Sequence, residues 1–269
     1  MEGMGKRAVC VGINEYPTAS LALRGCVNDA EGWAALLTEH FDFARADVRL
    51  ITDADATKAT ILGALDDLLA GASSGDVLVF TNSSHGTYRV DESGDDDVYD
   101  EALVPYDGAD DVILDDELRA RFGAVGRGVR ATVILDSCHS GSGTRDAGDL
   151  DHPDRRARFC DPRELGRRAL DDVRESARPR RTAGIAESQM RELLLAGSRA
   201  DQYSFDDRFG DRFQGAMSHY AQTLIRDAGY RISYERLHEQ LGAALREAEF
   251  EQDPQLEGRT TDKRRQVFT

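Results

Sequence analysis

Short apolar runs alternate with segments of helical spacing along the first 140 residues. Strand-like runs occupy residues 7–13, 48–51, 77–80 and 131–135. Apolar residues recur every three or four positions in the intervening segments 26–40, 57–69 and 115–122. Alternation of strands and helices is typical of a parallel sheet that is covered by helices on both faces. The sequence therefore predicts an α/β fold.

The pattern changes in the second half of the chain. Between residues 141 and 190 Asp and Arg dominate and apolar residues are sparse, which predicts a surface excursion or linker with one helix near 164–176. A fifth strand is predicted at 192–197, helices at 215–227 and 233–248, and a last edge strand at 266–268. We therefore divide the chain into residues 1–140, the 141–190 linker, and residues 191–269, which complete the same domain.

Composition narrows the class of protein. With 40% hydrophobic and 31% charged residues, the chain is typical of a globular protein, and its apolar runs are far too short to cross a bilayer. The first seven residues lack the apolar stretch of a signal peptide, so we expect a cytoplasmic location. The four cysteines are too scattered for a disulfide framework, so we expect free thiols at Cys10, Cys26, Cys138 and Cys160.

The net charge of −16 bears on possible partners. A field of that sign repels phosphates, so it argues against nucleic acid and anionic membranes and favours a basic substrate. The same charge is also explained by solvation of a surface that is rich in Asp and Arg.

Two motifs stand just beyond predicted strands. Ser83-Ser84-His85-Gly86 follows the third strand, and Asp136-Ser137-Cys138-His139 follows the fourth. The carboxyl ends of neighbouring parallel strands meet at one edge of a sheet, and a nucleophilic cysteine needs a base nearby. The backbone N–H groups of Gly86 and Cys138 could bind an oxyanion. A lone Cys or His is more often structural, but the pair together predicts a thiol nucleophile with an imidazole base.

These two motifs and their spacing resemble the metacaspase and orthocaspase branch of the caspase clan. The resemblance runs from Arg7 to Phe268, although the family usually has Ser-Gly-His-Gly where this chain has Ser-Ser-His-Gly. It implies a caspase-like three-layer α/β/α sandwich around a mostly parallel sheet of about six strands. It also implies a monomeric cysteine endopeptidase without an organic cofactor, in which His85 is the base and Cys138 the nucleophile.

The resemblance further implies a pocket that holds an Arg or Lys side chain on the amino side of the cut. The matching positions are Cys26, Asp29, Ser83 and Asp136. Carboxylates suit this task because a desolvated guanidinium needs an anionic partner in bidentate reach. Asp29 could instead serve only the first turn of its helix. The expected partners are peptides or proteins with exposed Arg or Lys.

An acidic stretch from Asp91 to Asp116 is a candidate calcium site. Clustered carboxylates repel one another unless water or a hard cation neutralises them, and Ca²⁺ prefers such oxygen ligands. The resemblance matches Asp100, Asp115, Asp116 and Asp146 to a calcium site. A solvated acidic loop remains the alternative.

The Arg-rich linker is a candidate substrate of the protein itself. Exposed segments with little to bury are cut preferentially, and the candidate positions are Arg145, Arg156, Arg168 and Arg181. Alternatively, these arginines only pair with neighbouring aspartates. Two rival functions also stay open: a caspase-like scaffold without protease activity, and a calcium-binding regulatory module.

Overall fold

The computed structural model describes residues 5–90, 99–108, 111–138, 153–165 and 187–269. Its strands are β1 (Lys6–Gly12), β2 (Val48–Thr52), β3 (Val77–Ser83), β4 (Gly86–Val90), β5 (Tyr99–Leu103), β6 (Ile113–Leu114), β7 (Arg130–Asp136), β8 (Arg156–Ala157), β9 (Glu192–Ala196), β10 (Phe205–Phe209), β11 (Arg212–Gly215) and β12 (Gln255–Glu257). Its helices are α1 (Cys26–His40), α2 (Lys58–Leu69), α3 (Asp115–Gly123), α4 (Ala216–Asp227), α5 (Tyr234–Glu247) and α6 (Thr260–Lys263).

The main sheet has six strands in the order β12-β9-β7-β3-β1-β2. All neighbours pair in parallel except β12, which is antiparallel to β9. The predicted six-stranded, mostly parallel sheet is therefore confirmed. Because β9 pairs with β7, the segments before and after the linker contribute to one sheet.

Helices cover both faces of this sheet. On one face, α2 and α3 bury Ile61, Leu65 and Phe122 against alternate residues of β1, β3 and β7. On the other face, α1, α4 and α5 bury residues such as Trp33 and Leu241. All seven residues of β3 are buried, as expected for a central strand that is covered on both sides. The expected three-layer arrangement of helices, sheet and helices is therefore confirmed. Within the described residues, no helix has the length and apolar character that a bilayer crossing requires.

Two small antiparallel sheets were not predicted. One has the order β4-β5-β6 and begins immediately after His85, where the sequence indicated only an acidic loop. The other has the order β11-β10-β8 and includes two residues of the predicted linker. Residues 153–165 of that linker thus fold against the protein body. The predicted helix near 164–176 lies mostly outside the described residues, and Glu164 and Leu165 belong to a short 3₁₀ turn.

The predicted edge strand at the end of the chain is wrong. Residues 255–257 supply the edge strand of the sheet, whereas Gln266 makes only an isolated bridge to Ser233. Val267 and Phe268 are fully buried, and the Phe268 ring packs edge-on at 6.1 Å from the Trp33 ring. Their apolar character thus serves the helix layer instead of the sheet.

Candidate active site

The main sheet brings the two motifs to one edge. Strands β3 and β7 are adjacent and parallel, and their register pairs Ser83 with Asp136 at the carboxyl ends. His85 and Cys138 each follow two residues later, so they leave the sheet side by side. Both side chains are fully buried.

The His85 ring is uncharged and is held in one orientation. Its Nε2 lies 2.8 Å from the carbonyl oxygen of Leu21. A carbonyl only accepts, so Nε2 carries the hydrogen and Nδ1 keeps a free lone pair. Among the described residues Nδ1 has no hydrogen-bond partner. Burial lowers the pKa of His85 to about 3, which keeps the ring uncharged.

Cys138 is a protonated thiol in this arrangement. Its Sγ lies 3.5 Å from the carbonyl oxygen of Ser204 and donates to it. Burial raises the pKa of the thiol to about 12. The pair is therefore thiol and neutral imidazole at rest, and not an ion pair.

An extended segment of the chain crosses this edge. Strand β8 pairs antiparallel with β10, and Arg158 continues the ladder by donating its N–H to the Ser204 carbonyl at 2.9 Å. On the other side the N–H of Cys160 donates to the Gly86 carbonyl at 2.9 Å. Backbone bonds on both sides of an extended strand are the way in which many clefts bind peptides.

The carbonyl of Arg158 occupies the predicted oxyanion position. Its oxygen accepts hydrogen bonds from the N–H groups of Gly86 at 2.9 Å and of Cys138 at 3.3 Å. The two predicted donors therefore converge on one oxygen. Donors placed in this way stabilise the negative charge that develops when a carbonyl is attacked.

The side chain of Arg158 fills a pocket of three carboxylates. Its Nη2 lies 2.6 Å from Asp29 Oδ2 and 2.9 Å from Asp206 Oδ1, and its Nη1 lies 3.2 Å from Asp136 Oδ2. None of these side chains is more than 1% exposed. A buried guanidinium is tolerated only with such partners. Two of the predicted pocket residues, Asp29 and Asp136, thus contact an arginine.

The carboxylates are held in place by the backbone. They accept N–H bonds from Gly215 (to Asp29), Ser218 (to Asp136), and Arg24 and Gly25 (to Asp206). Burial raises the pKa of Asp29 to about 8, although the positive charge of Arg158 acts in the opposite direction. The pocket thus depends on a bound cation, because the positive charge of the guanidinium opposes the effect of burial and favours the ionised form of Asp29.

The other two predicted pocket residues line its surroundings. Cys26 is fully buried at the start of α1, and burial holds the pKa of its thiol well above the usual range, although Arg158 lowers it. Ser83 is buried at the end of β3, opposite Asp136.

The predicted calcium ligands are only partly described. Asp115 begins α3, pairs with Arg119 at 3.2 Å, and accepts the N–H of Asp116 at 2.9 Å. Asp100 is buried on β5. Within the described ranges, no three Asp, Glu, His or Cys side chains form a group that could hold a metal ion. Asp146 lies outside those ranges, so the predicted set of four ligands is not described as a whole and the calcium site stays a prediction.

Of the four candidate self-cleavage positions, the structure describes one. Arg145, Arg168 and Arg181 lie outside the described residues. Arg156 donates from its guanidinium to the Ser20 carbonyl.

Sequence reasoning missed two residues of the site: Arg158, which occupies the pocket, and Asp206, which is one of its three carboxylates. The available signal was the short uncharged group Ala157, Phe159 and Cys160, which surrounds Arg158 inside an otherwise charged stretch.

The fold is shared with solved structures. Protein GSU0716 from Geobacter sulfurreducens superposes with a TM-score of 0.72 at 24% identity over 98% of each chain. Caspase-1 from Spodoptera frugiperda superposes with a TM-score of 0.60 at 14% identity over 95% of this chain and 86% of that one. At these identities the similarity defines the class of fold, which is that of the caspases.

Sequence similarity is more specific. The family model described as metacaspase, peptidase C14 domain matches residues 6–145. Metacaspase-4 of Arabidopsis thaliana is 42% identical over 145 residues, which are 51% of this chain and 34% of that protein. Metacaspase-1A of Aspergillus niger is 43% identical over 148 residues, which are 51% of this chain and 36% of that protein. The chain belongs to the metacaspase family, and the match spans about a third of these relatives' length.

Proposed function

We propose that this protein is a cysteine endopeptidase that cleaves after Arg or Lys and whose first substrate is its own Arg158–Phe159 bond. One observation carries the proposal. The Arg158 carbonyl accepts from the Gly86 and Cys138 N–H groups while its guanidinium lies among buried carboxylates. A residue held by both ends in this way is in the position of a substrate at the bond to be cut.

The chemistry then follows in two stages. His85 Nδ1 takes the proton of Cys138 Sγ, and the sulfur attacks the carbonyl carbon of Arg158. The oxyanion is stabilised by the N–H groups of Gly86 and Cys138. The C–N bond to Phe159 breaks, and the new amine takes the proton from His85. Water then attacks the thioester, with His85 again as the base, and releases the carboxylate of Arg158 and the free thiol.

The same contacts support a preference for Arg. Three carboxylates surround one guanidinium, and its two terminal nitrogens are shared between them. A Lys ammonium reaches the same pocket with one nitrogen and makes fewer simultaneous contacts. An Asp side chain there would be repelled by the pocket carboxylates.

Activity on separate substrates is tested with peptides that release a fluorophore after Arg, Lys or Asp. We expect cleavage after Arg, weaker cleavage after Lys and none after Asp. The rate of cleavage after Arg should fall by several orders of magnitude in Cys138→Ala and in His85→Ala. Turnover by Cys138→Ala at the native rate, or efficient cleavage after Asp, would contradict the proposal.

Self-cleavage is tested by intact mass spectrometry of the purified chain. We expect fragments that end at Arg158 and begin at Phe159, and their loss in Arg158→Ala. Arg156→Ala is the matched control, since its guanidinium donates to the Ser20 carbonyl and not to the pocket carboxylates, and it should still be cut. Fragments that form equally in Cys138→Ala would sink the proposal.

Calcium activation is the second part of the proposal. It is supported by the acidic sequence between Asp91 and Asp116, in which repulsion is relieved by a cation or by solvent. None of the proposed chemical steps uses the ion directly. Rates of peptide cleavage in millimolar calcium and in excess chelator, for the native chain and for Asp115→Ala with Asp116→Ala, test this part. Full activity in chelator would contradict it.

A further inference from the structure

Arg155, three residues before Arg158, occupies a second pocket of the cleft. Its Nε lies 2.9 Å from Asp207 Oδ2, and its Nη1 donates to the carbonyl oxygen of Glu249 at 3.2 Å. The guanidinium carbon lies 4.0 Å from the centre of the Phe250 ring. The side chain is only 20% exposed, although it belongs to a strongly charged stretch.

This second pocket is matched to a guanidinium. The Asp207 side chain is 5% exposed, and its other oxygen accepts the N–H of Arg208 at 2.7 Å, which fixes its orientation. The flat face of Phe250 attracts a cation, and the pocket adjoins the carboxyl end of α5, where carbonyl groups point outward. Charge, shape and hydrogen-bond acceptors thus select the same group.

The neighbouring positions of the strand have different surroundings. Arg156 is partly buried, and its guanidinium donates to the carbonyl of the exposed Ser20. Ala157 is buried opposite Phe205 in the β8–β10 ladder, which leaves little room for a larger side chain. Along the strand, Arg155 thus contacts a carboxylate and an aromatic ring, Arg156 a backbone carbonyl, Ala157 is small, and Arg158 fills the three-carboxylate pocket.

We propose that Asp207, Phe250 and the Glu249 carbonyl form a specificity pocket for an Arg side chain that stands three residues before the cleaved Arg. This inference rests on the proposed function and narrows its substrates to chains of the form Arg, any residue, small residue, Arg. A Leu there would cover Phe250 but could donate no hydrogen bond to Asp207 or to the Glu249 carbonyl. A Lys would lack the planar face and the second nitrogen that contact Phe250 and Glu249.

The test compares two fluorogenic tetrapeptides of equal charge, Arg-Ala-Ala-Arg and Ala-Arg-Ala-Arg. Equal charge removes the general attraction of a protein with net charge −16. With native enzyme, kcat/KM should be about tenfold higher for Arg-Ala-Ala-Arg. In Asp207→Asn the ratio should fall close to one, because the pocket loses the charge that pairs with the Arg side chain. Asp211→Asn, an exposed carboxylate between β10 and β11, should keep the native ratio.

The outcomes separate the pocket from the protease. A ratio near one in native enzyme, or an unchanged ratio in Asp207→Asn, overturns the pocket while cleavage after Arg still stands. Failure to cut either peptide, or equal cutting by Cys138→Ala, overturns the proposed function itself. Because the ratio is measured within each variant, partial loss of folded protein does not alter it.

Discussion

The side chains of Cys138 and His85 are both uncharged at rest because they are buried. Burial puts the pKa of Cys138 at about 12 and that of His85 at about 3. Proton transfer from sulfur to imidazole is therefore strongly uphill in the closed cleft. We infer that the cleft must admit water or rearrange before the thiolate forms, which makes access to the site the natural point of control.

The buried His85 predicts an acid-sensitive fold. Its pKa falls from 6.5 to about 3, so between these pH values the unfolded chain binds a proton that the folded chain does not. Its contribution to stability is therefore complete above about pH 6.5 and is lost as the pH falls toward 3. The slope is about 1.4 kcal/mol per pH unit.

Urea unfolding of Cys138→Ala, with and without His85→Gln, at several pH values between 7 and about 4 measures this contribution. The amide of Gln donates to the Leu21 carbonyl without titrating. The difference between the two free energies of unfolding should shrink as the pH falls. A difference that is independent of pH would contradict the assignment of a buried neutral imidazole.

Asp206 is expected to determine affinity for Arg. It was absent from the predicted pocket, yet its carboxylate lies 2.9 Å from the Arg158 guanidinium. In Asp206→Asn, kcat/KM for an Arg peptide should fall about 10- to 100-fold, because one of three charge partners is lost. Asp201→Asn serves as the control, since Asp201 is exposed and pairs only at the surface with Arg199. Native kcat/KM in Asp206→Asn would remove Asp206 from the pocket.

At the scale of elements, the junction of β11 and α4 forms one wall of the pocket and supplies backbone N–H donors to Asp29 and Asp136. Gly215 caps α4 with φ −68° and ψ 138°, which any residue adopts. A methyl group there would collide with Asp136 Oδ2 and with the guanidinium of Arg158. Space, and not backbone conformation, therefore requires glycine at this position.

Gly215→Ala should consequently block the pocket from inside. We expect loss of self-cleavage and of Arg-peptide cleavage, with the circular dichroism of a folded protein. Gly63→Ala is the matched control: it lies in α2 with no heavy atom near the added methyl, and should gain about 0.5–1 kcal/mol of stability. Native kcat/KM in Gly215→Ala would show that the Arg side chain does not enter this pocket.

Elements with clear periodicity were predictable, and short ones were not. The central strands are continuous apolar runs, so β1, β3, β7 and β9 and the two motifs beyond β3 and β7 could be found from the sequence. By contrast, β8 has two residues inside an Arg-rich stretch, and β10 carries the buried charges of Asp206 and Asp207. Their stability comes from partners distant in sequence, which no local pattern reports.

At the scale of the whole molecule, the chain is its own inhibitor and its own first substrate in the proposed function. The strand around Arg158 closes the cleft through backbone bonds on both sides and three charged contacts. A separate substrate cannot occupy the same positions. Cleavage alone does not empty the cleft, since the contacts of Arg158 and Arg155 both lie on the amino side of the cut. Full activity therefore requires the new carboxyl end to leave.

This arrangement predicts that self-cleavage is intramolecular. Arg158 already lies between the oxyanion donors of its own chain, so no encounter between molecules is needed. The fraction cut at a given time should therefore be the same over a hundredfold range of protein concentration, as measured by gel densitometry. A tagged Cys138→Ala chain mixed with native protein should remain intact during this first phase, because its cleft is closed by its own strand. A rate that rises in proportion to concentration, or early cutting of the tagged chain, would mean that the strand in the cleft is not the bond that is cut first.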